Sequence, residues 1–330
     1  MLTTVYFDPL DSQFGQFPRR TLPAPLERHL AQTEAGALYA LIDSARLGDC
    51  DPLLDAGGLC LFEQDAQEML GDVAPYLVAL DHAPELLRRL FTRSDQTTAL
   101  WGRETAVILR SDAGIVSLRR HLRRFTQIPD MEGKPRFLRF YDPVVMGHIL
   151  TGLKDDEARL ARWFWHRQVQ VVREWIVPQE RLDRALLATA PQIVPEEGSM
   201  PIPPFRIDAR YSLIFDGIVT DRLARKISRA VVHSVGNPFD LPPEDWAQLM
   251  EAVTALCRRA GMVTPQAIGH VASVAVWRNG LPAPQELPKW VPDAGHPARE
   301  LAQAKAFHLA QKRSHDAWRN GAVSPHSAGA

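Results

Sequence analysis

The stretch Pro135-Arg136-Phe137-Leu138-Arg139-Phe140-Tyr141-Asp142-Pro143-Val144-Val145-Met146 decides how the rest of the chain is read. Phe137, Leu138, Phe140 and Tyr141 favour β structure and predict a buried strand, with Arg139 as the one charge inside it. Burying an unpaired guanidinium costs several kcal/mol, so Arg139 requires either a sheet edge or a carboxylate facing it. Asp142 is an N-cap residue type, and Pro143 sits where its fixed φ and missing N–H are tolerated. The spacing therefore predicts a helix starting at Pro143. The chain before this stretch reads as layers built against it, and the chain after it reads as helices.

Upstream, Leu38-Tyr39-Ala40-Leu41-Ile42-Asp43 is a compact apolar run ending in an acid, suited to a strand buried on both faces. Residues 57–62 supply a shorter strand. Ala74-Pro75-Tyr76-Leu77-Val78-Ala79-Leu80-Asp81 repeats the first design: proline, apolar run, acid. A helix comes next, from Pro84 to Phe91, then a strand from Thr105 to Arg110. The next helix, Ile115 to Phe125, carries the stripe Ile115, Leu118, Leu122 and Phe125, with Arg119, Arg120, Arg123 and Arg124 on its other side. Strands alternating with helices predict an α/β head with a mixed or mostly parallel sheet and flanking helices.

Downstream, residues 155–177 carry Trp163, Phe164, Trp165 and Trp175 and are expected to form one long trailing helix. The proline-rich run 191–204 cannot be a helix and reads as a linker. Beyond it the chain is mainly α-helical. Helices are expected over 214–233 and from Pro243 to Ala260, the latter with the stripe Trp246, Leu249, Met250, Val253, Leu256 and Cys257. Another opens with Thr264-Pro265 as cap and first residue, and an alanine-rich helix runs to about Asn320. The expected organisation is an arm over 1–30, the α/β head over 31–190, the linker over 191–204, a helical lobe over 205–320 and a disordered tail over 321–330.

Composition narrows the function classes. The 330 residues are 45% hydrophobic with a formal net charge of −1, so there is no global pull toward nucleic acid or a membrane surface. Three cysteines, Cys50, Cys60 and Cys257, lack CxxC spacing and argue against a disulfide frame or a thiolate zinc site. Neither a signal peptide nor a transmembrane run is read, so the expected location is the cytoplasm.

The catalytic templates fail on inspection. No GxSxG elbow, HExxH, P-loop or Rossmann glycine fingerprint is found, and His121, His148 and His166 stand alone on expected helices. No cofactor is called for. Asp43, Asp81 and Asp142 each come directly after an apolar run. If they converged they would suit a divalent cation and a metal-dependent hydrolase. Otherwise they cap helices, or one of them pairs with Arg139. A basic stripe, Arg222, Arg225, Lys226 and Arg229, recurs at helical spacing and is the candidate partner-binding surface, gripping an acidic partner or a phosphate backbone if it is not simply a solvated face.

Taken in order, 38–43, 74–78, 118–122 and Arg139-Phe140-Tyr141-Asp142-Pro143 resemble the signature of the domain of unknown function 4123 family, over roughly residues 37–165. The small Gly-Ala pair usual after the first acid is here Ser44-Ala45. The resemblance implies a non-catalytic chaperone or adaptor that loads a toxic effector onto the VgrG spike of a bacterial type VI secretion system. Its expected partners are the effector cargo and the spike protein, with no nucleic acid and no membrane span. It also implies that Asp43, Pro75, Tyr76, Arg139, Tyr141, Asp142 and Pro143 are family positions, with structural roles.

Overall fold

The computed structural model describes residues 1–33, 36–47, 51–62, 64–166, 168–192 and 204–319. Its strands are β1 (Leu2–Tyr6), β2 (Ala37–Asp43), β3 (Leu59–Cys60), β4 (Pro75–Ala79), β5 (Ala106–Ser111), β6 (Gln127–Pro129), β7 (Pro135–Phe137), β8 (Trp165–His166), β9 (Val169–Gln170), β10 (Glu174–Gln179) and β11 (Arg184–Thr189). The helices of the first part are α1 (Ala24–Gln32), α2 (Ser44–Leu47), α3 (Asp51–Asp55), α4 (Gln64–Leu70), α5 (Pro84–Leu90), α6 (Ile115–Arg123), α7 (Pro143–Gly152) and α8 (Glu157–Ala161). Then come α9 (Ala209–Val235), α10 (Pro243–Arg259), α11 (Pro265–Trp277), α12 (Leu287–Trp290) and α13 (Pro297–Arg319). Two compact units result, Met1–Phe215 and Asp216–Ala330, and the division falls inside α9.

A seven-stranded sheet in the order β1-β11-β10-β5-β2-β4-β3 organises the first unit. The layered head and the helical second part agree with the sequence. The direction of pairing does not, since every pairing in this sheet is antiparallel where a mixed or parallel sheet was expected. The reason is topological. β4 and β5 are joined through α5, as in a βαβ unit, but β2 lies between them and is antiparallel to both. Alternation of strand and helix in sequence thus leaves the neighbours in the sheet undetermined.

Side chains alternate between the two faces of each strand. One face presents Ala40, Ile42, Tyr76, Val78, Ala106, Ile108 and Ile176 to a core closed by Leu26, Leu86, Leu87, Phe91 and Trp101. Leu41, Leu77, Val107, Leu109, Trp175 and Val177 have the opposite parity and are also fully buried. Against this sheet α7 packs on β5 and β10, and α6 on β4. Trp163 stacks on Phe125 at 4.3 Å between ring centroids and meets Phe140 at 5.8 Å and Trp175 at 6.4 Å.

Three expectations for this unit are corrected. Residues 1–30 are not a loose arm: Leu2–Tyr6 pairs with β11 and α1 brings fully buried Leu26 into the core. Residues 155–177 are not one helix. After α8 comes the β8–β9 ribbon and then β10, because the β-branched run through Val171, Val172, Ile176 and Val177 is buried in and beside the sheet. The stretch 135–141 is not a buried strand either. Only Pro135–Phe137 is extended, in an exposed ribbon with β6, while Leu138, Phe140 and Tyr141 are buried from a turn. The expected start of α7 is correct, with Asp142 as its N-cap.

Most of the expected linker, residues 193–203, lies outside the described residues, as do 320–330 and Cys50. The chain after the linker begins inside the first unit, past the expected boundary at 190. Phe205 meets Phe125 at 5.4 Å and Trp163 at 6.0 Å, and Asp208 pairs with Arg159 at 2.6 Å.

In the second unit, Trp246, Met250, Val253 and Cys257 of α10 pack with Ala224, Ile227 and Val231 of α9 and with Ile268, Val271 and Ala275 of α11. Trp246 donates its indole N–H to Ser228 Oγ at 2.8 Å. Thr264 stands at the N-cap of α11 but makes no capping bond with its side chain. Buried Glu300 instead accepts from the N–H groups of Thr264 at 2.7 Å and Gly295 at 2.8 Å. No helix among the described residues is long and apolar enough to cross a membrane.

Gly152 ends α7 where Ile214 crowds it: a Cβ there would lie 2.5 Å from Ile214 Cγ1. Gly152→Ala should destabilise the first unit by about 1–3 kcal/mol in urea unfolding. Ile214→Val in the same background should return part of the loss, because the two sites are in direct contact.

Candidate functional site

The family positions expected from the sequence converge at one end of the sheet. Asp43 closes β2 and lies opposite Pro75, the first residue of β4, with Ile42 opposite Tyr76. The Asp43 backbone N–H donates to Thr105 O at 2.9 Å, and its carboxylate is fully buried. Buried, it requires a cation, and Arg139 supplies one by donating Nη2 to Asp43 Oδ2. Arg139 is 47% exposed and its guanidinium lies over the Tyr141 ring at 5.7 Å. Of the two alternatives set by the sequence, a sheet edge or a facing carboxylate, the second is the one met.

Asp142 is the second buried carboxylate. One oxygen caps α7 by accepting from Val144 N at 2.9 Å and Val145 N at 3.4 Å. The other accepts from Arg46 Nη2 at 2.7 Å. The same guanidinium places Nε 3.5 Å from Asp43 Oδ2 and Nη1 3.2 Å from Glu104 Oε2, and donates to Glu104 O at 2.9 Å. Arg46 thus ties together the end of β2, the entry to β5 and the start of α7. Sequence reasoning missed this residue. The available signal was its position three residues after a strand-end acid, on the first helical turn.

Around this cluster, burial pushes the Tyr141 hydroxyl up to about 12. Burial also raises Glu180 to about 7, against the lowering effect of its hydrogen bonds from Glu104 N at 2.8 Å and Gly102 N at 2.6 Å. Burial works against the charge of Arg139, but the Asp43 carboxylate, together with Tyr141 and Asp142, holds the guanidinium above its usual value.

Of the three acids weighed for a metal-dependent hydrolase, two come together and one stands apart. Asp43 and Asp142 share Arg46, but Asp81 is exposed in the turn after β4. Since β4 runs antiparallel to β2 and Ala79 faces Tyr39, Asp81 lies at the opposite end of the sheet. Among the described residues no group of three or more His, Cys, Asp or Glu side chains is placed to hold a metal ion. The two cysteines described, Cys60 and Cys257, are free and buried, and burial raises both thiols.

The basic stripe lies on α9 in the second unit. Arg222, Lys226 and Arg229 are exposed on one face, while half-buried Arg225 pairs with Asp221 at 2.8 Å. Ala224, Ile227 and Val231 turn inward and hold the helix in its core. The stripe is a presented surface rather than an enclosed site.

His121, expected to stand alone, is a core histidine. Arg124 Nη2 donates to its Nδ1 at 2.7 Å, and its Nε2–H is left to donate to Trp163 O at 3.3 Å. Burial, reinforced by Arg124, depresses it to about 3.

Removing Arg46 should cost more than removing Arg139. Arg46→Met takes the Arg46 cation from fully buried Asp142 and leaves buried Asp43 with Arg139, and should destabilise on the order of 3 kcal/mol. Arg139→Met removes a partly exposed partner and should cost about 1 kcal/mol or less in the same chemical unfolding assay. Acid sensitivity has a predicted sign as well. Between about pH 6.5 and 3 the unfolded chain protonates His121 and the folded chain does not, so this group's stabilisation is lost as pH falls through that window. Glu180 acts oppositely, since between its usual value and about 7 the folded chain holds the extra proton and stability falls as pH rises. In pH-resolved thermal melts, His121→Gln should flatten the acid limb, and Glu180→Gln should flatten the decline toward neutral pH.

No curated protein and no solved structure matches the chain. A family model does: residues 38–160, the segment from β2 to the end of α8 that contains Asp43, Arg46, Arg139 and Asp142, match the family described as Domain of unknown function (DUF4123).

Proposed function

We propose that this protein is a non-catalytic chaperone or adaptor that binds a type VI secretion effector in the cytoplasm and helps load it onto the VgrG spike. The observation that carries the reading is the family match over residues 38–160, on a segment in which the expected family positions Asp43, Arg139 and Asp142 are joined through Arg46 in one ion-pair cluster. The cluster's carboxylates are committed to guanidinium groups and a helix cap, which suits a structural lock holding a rigid head. An adaptor also needs two presenting surfaces. In this reading the head engages the spike or helps to hold the effector, and the helical unit, with Arg222, Arg225, Lys226 and Arg229, discriminates the cargo.

The test is affinity purification of the tagged full-length protein from its native cytoplasm at moderate salt, with bound polypeptides identified by mass spectrometry. Recovery of a VgrG-type spike together with one large toxin is the expected result, and a preparation free of both would overturn the reading. Reversing exposed charge with Arg222→Glu, Lys226→Glu and Arg229→Glu together should lower recovery of the toxin by about tenfold or more while leaving the spike, consistent with loss of cross-interface charge pairs.

A further inference from the structure

The arginine-rich side of α6 is not used by the ion-pair cluster. Val116, Arg119, Arg120 and Arg123 recur at helical spacing on one side of α6, and Arg124 stands at its C-terminal end. They line a groove of about 760 Å³ together with Phe62 and Phe137. Arg119 braces one wall, donating Nε to Cys60 O at 2.5 Å and Nη2 to Phe62 O at 3.4 Å. Phe62 and Phe137 meet with ring centroids 6.2 Å apart, and Phe137 is 68% exposed, with Val116 exposed beside them.

Exposed apolar side chains of this size, brought together in a concavity, mark an interaction surface rather than ordinary surface scatter. The charge around them is one-sided. Four arginines line the groove and no carboxylate does among the side chains described, which leave out those of residues 63–66, although the whole chain has a net charge of −1. Guanidinium groups present paired N–H donors that fit carboxylates bidentately, and their planes tolerate neighbouring aromatic rings. The groove volume accommodates a few side chains. α6 has nine residues and so is about 13.5 Å long at 1.5 Å per residue, too short to track an extended phosphate backbone. The two phenylalanine rings are tilted at 55° and do not form the flat platform on which successive bases stack.

We infer that this groove docks an acidic polypeptide segment of a partner, one in which Asp or Glu side chains flank a large apolar residue. The carboxylates pair with Arg120 and Arg124, and the apolar side chain covers Phe62, Phe137 and Val116. This assignment does not depend on which polypeptide the protein carries, so it stands or falls separately from the adaptor reading.

The test selects random dodecapeptides displayed on phage against the full-length protein, then measures synthetic consensus peptides by fluorescence anisotropy. Arg120→Glu and Phe137→Ser alter exposed positions and are to be used as variants whose melting matches the parent. The expected consensus places Asp or Glu beside Phe, Trp or Leu. Its affinity should fall by about tenfold in each variant and weaken with added salt. Failure to enrich any peptide, a consensus without acids, or unchanged binding in either variant would overturn the inference. Tighter binding of a twelve-nucleotide oligothymidylate at the same salt, lost in Arg120→Glu, would overturn it in favour of a nucleic-acid groove.

Discussion

Two carboxylates that must be buried, and the guanidinium that lets them be, hold the head together at its most connected point. Asp43 ends a central strand and Asp142 begins the helix that packs over the sheet; both are fully inaccessible to solvent. Each would be expensive without a counter-charge, and Arg46 reaches both. Because its partners stand at the end of β2 and the start of α7, the pair network sets the position at which the helix enters the fold. Asp142 spends its other oxygen on the first turn of α7, so the same residue that completes the charge balance also satisfies otherwise orphaned backbone N–H groups.

A second buried network stands at the other end of the sheet. Glu174, fully buried and opposite Arg110 in the β5–β10 register, lies 3.3 Å from Arg110 and 2.8 Å from His29 of α1. The antiparallel sheet is thus pinned at both ends by carboxylates, one tying α7 to the strand ends and the other tying in α1. This explains how α1, from a part of the chain without apolar periodicity, still belongs to the core: Leu26 supplies the packing and His29 the polar anchor.

The features legible in the sequence were those that local chemistry controls. Asp142-Pro143 announced a helix start because cap and first-turn preferences act over a few residues. The apolar run through Ile42 and the stripe through Trp246 and Val253 were legible for the same reason, since burial obeys a short period. Sheet direction was not, because insertion of β2 between β4 and β5 is a non-local choice. Residues 155–177 misled for a related reason. Trp163 and Trp175 stand in one aromatic-rich run, yet they meet edge to face across a core, and β-branched neighbours decide in favour of strands. Arg46 was overlooked because its partner Asp142 lies 96 residues away.

The strand-end acids show why residue type and position alone underdetermine a site. Asp43, Asp81 and Asp142 look alike in sequence, each closing an apolar run, yet their environments differ entirely. Two are buried against guanidinium groups and the third sits in an exposed turn at the far end of the sheet. In a parallel sheet all three would have emerged on one side, where open α/β folds gather their ligands. Antiparallel pairing of β2 with β4 separates them by the length of a strand. The topology that the sequence left open is therefore the feature that sets Asp81 apart from Asp43 and Asp142. The two acids remaining together act on the fold itself, one closing a strand and the other opening a helix. Arginine is presented outward elsewhere, on α6 in the first unit and on α9 in the second.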